Sequence, residues 1–159
     1  MGDHVHTYQA ILSWSGSTAL GYEDYDRTHT MSSPPAGQGL TLSSDPGFRG
    51  NPNLLNPEQL LVQAASSCQL LSFLAAAAKA RVDVVAYEDE AEGEMPEDVH
   101  PMHITRIVLR PTITVVEGPT EERVQKLCDV AHKHCYIANS LTTEVLVEPT
   151  VTFVAPAAG

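Results

Sequence analysis

The sequence predicts an α+β domain, and three observations predict it. Stretches of strand character gather at both ends and in the middle of the chain. A long apolar helix separates the first group from the second. A shorter amphipathic helix precedes the last strands. The order strands, helix, strands, helix, strand is that of an α+β domain. With 159 residues, 43% of them hydrophobic, the chain is long and apolar enough for one domain over residues 1–159.

Residues 6–14 alternate loosely and predict a strand; residues 22–31 predict more, with Arg27 and His29 on one face and Thr28 and Thr30 on the other. Residues 32–54 are dense in Pro, Gly and Ser and predict a long structureless lid or arm. Such a loop is uncommon inside a compact domain unless it has a task. Asn56-Pro57 opens a helix running to about Ala80, with Asn56 as N-cap, Pro57 at the first helical position and Gln59 as capping-box partner. It is apolar nearly all round, which makes it either a buried centre or a membrane span. Gln63, Ser66, Ser67, Gln69 and Ser72 interrupt it too often for a span, so a buried central helix is expected. Residues 82–92 and 103–116 predict strands. In the latter, Ile107, Leu109, Ile113 and Val115 share a face, and Pro111 suggests an edge or a bulge. Thr120 caps a second helix with the apolar stripe Val124, Leu127, Cys128 and Ala131; a helical turn near Asn139 and strands over 145–147 and 150–154 follow.

A net charge of −11 disfavours nucleic acid and anionic membranes as partners. The polar opening, residues 1–7, lacks the basic and apolar runs of a secretory signal. Three cysteines are too few for a disulfide scaffold, so a cytoplasmic, reducing compartment is expected.

The cysteines carry the candidate chemistry. Cys68 lies mid-helix among Ser66, Ser67 and Gln69. It reads either as a small core hydrophobe or as a thiol in a tight, partly polar spot suited to a thiolate. Cys135 follows His132, Lys133 and His134, a basic segment that either supplies charge to the sulfur or complements a helix end. Cys128 falls on the apolar stripe. With His132, Cys135 and Cys68 it admits a zinc reading, which lacks the usual CxxC or HxxxH pairs.

The run Asn56-Pro57-Glu58-Gln59-Leu60-Leu61 through Ser67-Cys68, with Ala131-His132-Lys133-His134-Cys135 later, resembles the OsmC/Ohr family of thiol-dependent organic hydroperoxide reductases. Val84-Val85-Ala86-Tyr87-Glu88 and Ile137-Ala138-Asn139-Ser140-Leu141 look like its OsmC-like branch, and the likeness covers nearly the whole chain. The resemblance implies antiparallel sheets enclosing two central helices in an intertwined homodimer, with no metal, haem or other cofactor. It implies that Cys68 attacks the peroxide and becomes a sulfenic acid, that Cys135 resolves it to a disulfide, and that an external thiol of dihydrolipoyl type restores the pair. Glu58 matches the family glutamate, and Arg27, with Arg49 as the other candidate, the arginine that supports the thiolate. Ten helical residues span about 15 Å, so Glu58 cannot reach Cys68 of its own unbroken helix; either the helix begins later than Pro57 or Glu58 serves a cysteine of the partner subunit, which agrees with a dimer. Tyr136 stands where studied peroxidases of the family tend to have proline. That departure keeps an apolar-ligand or redox-sensing binding protein as the competing function.

Overall fold

The longest element, α1 (Pro57–Lys79), starts where a capping box closes: the Asn56 amide donates to Gln59 Oε1 and the Gln59 amide to Asn56 Oδ1, at 3.0 and 2.9 Å. Its other end is a Schellman turn, with Val82 N–H donating to the Ala77 carbonyl and Arg81 N–H to that of Ala78. Arg81 takes the left-handed position, at φ 59°, that glycine normally fills. This is a computed structural model; it describes residues 2–158. The described chain forms two compact units divided at Leu60 and Leu61, so α1 belongs to both.

In the first unit β1 (Ile11–Ser13), β2 (His29–Ser32) and β3 (Gly39–Leu42) form an antiparallel sheet in that order. The strand expected over 6–14 shrinks to three residues. Between the Gly21 carbonyl and His29 the chain turns rather than pairs, so Arg27 lies ahead of β2, not on a strand. Residues 32–54 are not structureless. They contain β3 and a 3-10 turn (Pro46–Phe48) whose cap, Asp45, accepts from the Gly47 amide. Serine and asparagine side chains bond the local backbone in this loop, and at Gly50 a Cβ would lie 1.6 Å from the Ser44 carbonyl oxygen.

The second unit holds β4 (Val84–Asp89), β5 (Glu92–Glu94), β6 (Arg106–Leu109), β7 (Pro111–Val116), α2 (Glu121–Lys133), α3 (Tyr136–Asn139), β8 (Glu144–Val147) and β9 (Thr150–Val154). The stretch 103–116 is two strands, bent at Arg110. Each half joins a different sheet, β4-β7-β9 or β5-β6-β8. Pro111 opens a central strand, where its missing N–H costs no ladder bond. The sheets are mixed, not antiparallel: β6 pairs with β8 and β7 with β9 in parallel. The helical crossover through α2 and α3 returns the chain in its original direction, which a hairpin cannot do. At the bend, Arg110 faces Glu92 and Glu148 at 3.8 and 3.6 Å.

Two apolar clusters hold this unit. Phe73 and Ala77 of α1 meet Val124, Cys128 and Ala131 of α2 over Ile113 and Val115. Ala65 meets Ile104, Ile107, Leu109 and Val145, and Gly93 lets β5 approach Val62, where a Cβ would stand 2.6 Å away. The expectation of a wholly buried central helix fails for the single chain. Only Ala65, Gln69, Phe73 and Ala77 are buried, a stripe four residues apart, because the two sheets and α2 cover one side of α1. Its most apolar window has a mean hydropathy of 1.6 yet is 22% buried, and Leu71 and Leu74 remain exposed.

Candidate thiol site

The structure brings two of the cysteines together. Cys68 sits in the fourth turn of α1, half-buried; Cys135 lies at the junction of α2 and α3, 1% exposed. The two thiols are close enough for the Cys68 sulfur to act on that of Cys135, and both are free. Burial is the main cause that pushes the Cys135 thiol up, with the neighbouring Cys68 sulfur adding to it. The amides of Ala138 and Ile137, at the start of α3, pull the other way. Cys135 therefore holds its proton more tightly than a free thiol does.

The basic segment does not charge this sulfur. Lys133 and His134 are exposed, and Lys133 closes the C-terminal turn of α2, where cations complement the helix dipole. His132 is half-buried, with Nδ1 shielded and unbonded. Cys128 is a core residue, 1% exposed, whose thiol is pushed up to about 12 by burial and then by Asp129. The zinc spacing does not converge: Cys128 faces the core and Cys135 faces Cys68. Among the described residues no three His, Cys, Asp or Glu side chains gather as a metal site.

Glu58 stands in the first turn of α1, half-buried, ten residues before Cys68 on an unbroken helix. That separation is about 15 Å, so the two do not meet within one chain. Arg27 is engaged in its own loop. It donates to the carbonyls of Tyr25 and Tyr22 at 2.9 and 2.6 Å, and its guanidinium lies 3.9 Å over the Tyr25 ring. Arg49 pairs with Glu23. Neither arginine is bonded to Glu58.

Sequence reasoning passed over two polar side chains of this region. Gln69, fully buried, donates from Nε2 to the Cys128 carbonyl at 3.3 Å, while its Oε1 has no partner. Tyr87 packs its ring 5.8 Å from Phe73, and its shielded hydroxyl is also unbonded; burial raises its pKa well above the usual phenol range. A glutamine interrupting an otherwise apolar stripe was the available signal. A groove of about 420 Å³ lies between α1 and β4, lined by Gln63, Ser66, Ser67, Leu70, Tyr87 and Asp89 among others. Ser66 donates to Asp89 there.

The model of the family described as OsmC-like protein matches residues 50–150, well over half the chain and including both cysteines. The chain belongs to the OsmC-like family. Among solved structures, an OsmC-like protein of unknown function from Vibrio cholerae is 32% identical to this family member. The match covers 92% of this chain and 100% of that one, with a TM-score of 0.83. An organic hydroperoxide resistance protein from Elizabethkingia anophelis is 19% identical over 96% of this chain and 100% of its own, at a TM-score of 0.70. One from Legionella pneumophila is 15% identical over 94% and 99%, at 0.67. These last two likenesses concern the fold alone. No curated protein matches this OsmC-like chain.

Proposed function

We propose that this protein is a thiol-dependent peroxidase acting on organic hydroperoxides, with Cys68 as nucleophile and Cys135 as resolving cysteine. The observation that carries the proposal is the meeting of a half-exposed Cys68 thiol with a buried Cys135 thiol across two helices. The roles follow from that asymmetry: peroxide can reach only the more exposed sulfur. The Cys68 thiolate attacks the distal oxygen, an S–O bond forms, the O–O bond breaks, and the alkoxide leaves as the alcohol after taking a proton. Cys135 sulfur then attacks the sulfenic sulfur, water leaves, and the disulfide forms. An external dithiol, of dihydrolipoyl type, restores both thiols by exchange and carries away the two electrons' worth of oxidation.

Glu58 and Arg27 enter this proposal through a second chain. The uncovered apolar face of α1, with Leu71 63% exposed and Leu74 38%, suits a second copy, and two such helices crossing antiparallel about Gln63, midway between the two residues, would set Glu58 of one level with Cys68 of the other. Mixing Glu58→Ala with Cys68→Ser chains should then restore one working site per heterodimer. No recovery of activity would remove the sharing.

The chemistry is tested by steady-state turnover of cumene and tert-butyl hydroperoxide against hydrogen peroxide, with mass spectrometry of the oxidised protein. Faster turnover of the organic peroxides and a Cys68–Cys135 disulfide are expected. A protein whose thiols survive an equivalent of hydroperoxide is not a peroxidase.

A further inference from the structure

We infer that Gln69 is the residue that sets the register between α1 and α2, and so holds the Cys68 and Cys135 thiols in reach of one another. The inference rests on reading these cysteines as a redox pair. Gln69 follows Cys68 directly in α1. Its carboxamide crosses to the carbonyl of Cys128, seven residues before Cys135, and it does so fully buried. Apart from the exposed Arg123, which donates to the Ala80 carbonyl at 2.9 Å just past the far end of α1, the rest of the contact between the helices is apolar, Phe73 and Ala77 against Val124, Cys128 and Ala131. Apolar contact is non-directional, and small alanines offer few knobs against sliding. A hydrogen bond is directional. A slide of one residue is about 1.5 Å, enough to take two thiols out of reach. In intramolecular chemistry a 1 Å misplacement can cost about 100-fold in rate.

The unbonded Oε1 supports the same reading. A buried acceptor without a donor is unfavourable, and an apolar side chain of similar volume would pack the stripe without that cost. A glutamine kept here under that penalty points to a task other than stability.

The test compares the full-length protein with Gln69→Leu and Gln69→Glu. After a pulse of cumene hydroperoxide, Gln69→Leu should form its sulfenic acid within about threefold of the parent rate, while disulfide closure slows by at least about tenfold. The sulfenic acid is read by trapping with dimedone, and closure by mass. Its melting temperature should hold or rise, since the lost group is a half-satisfied polar one. Gln69→Glu keeps a donor only while its carboxyl is protonated. Closure should approach the parent's at about pH 6 and fall away from it by about pH 9. Closure within threefold of the parent in Gln69→Leu overturns the inference, as does a parallel loss of both steps with the melting temperature. Should the parent ignore peroxide, the peroxidase reading fails alone. Equilibration with oxidised dithiothreitol still measures the pair, and Gln69→Leu must then disfavour the Cys68–Cys135 disulfide by at least about tenfold.

Discussion

Two cysteines seven residues apart, Cys128 and Cys135, occupy opposite chemical situations, and burial separates them. Cys128 has no partner sulfur, lies in the apolar cluster, and holds its proton to about 12. Its folded pKa exceeds that of the unfolded chain, near 9.0. The stability this contributes is complete below pH 9 and is lost as pH rises through the folded value. The unfolding free energy from denaturant titrations should therefore fall between about pH 9 and pH 12, by up to about 4 kcal/mol, and Cys128→Ala should flatten that slope while lowering stability at neutral pH. Cys135 differs in having Cys68 beside it. Cys135→Ser should leave the first oxidation of Cys68 within about threefold, yet reduce steady-state turnover by at least about tenfold, with sulfenic acid persisting in place of disulfide. Dimedone labelling followed by mass spectrometry distinguishes the two steps. Of the two sequence readings of the basic segment before Cys135, charge for the sulfur or a complement to the helix end, the structure agrees with the second. His132, Lys133 and His134 are adjacent in the chain, but the sulfur turns inward and the exposed cations turn out.

At the scale of elements, what was legible was local. The capping box at Asn56 and Gln59, the cap at Thr120 and the stripe Val124, Cys128 and Ala131 are all written in neighbouring residues, and the structure has them. Asn56→Ala should cost about 1 kcal/mol in thermal or denaturant unfolding through loss of the cap. Arg81 offers the opposite case. It holds a left-handed conformation at an exposed helix end, so Arg81→Gly should raise stability by about 0.5–1 kcal/mol, measured the same way. The elements that went astray were those whose limits depend on partners. Residues 6–14 have the alternation of a strand, but only Ile11–Ser13 finds a neighbour in β2. The stretch 103–116 alternates without a break, and only the divergence of two sheets turns it at Arg110.

For the molecule as a whole, the open question is what covers α1. If a second copy does, size-exclusion chromatography with light scattering should give twice the 17.1 kDa of one chain, and Leu71→Glu should give a single chain with little peroxidase activity. A monomeric parent would end the shared-site proposal. The α+β class, the helix starts and the core face of α2 were determined by the sequence alone, because composition and spacing along a few turns carry them; the choice of Cys68 and Cys135 as a pair came from the family resemblance. That Cys68 meets Cys135 while Cys128 turns to the core, that the two sheets of the second unit are mixed, and that Gln69 bridges α1 to α2 were decided only by the tertiary structure. Each of these brings together residues far apart in the chain, and local propensity holds no information about which distant surfaces will exclude water together.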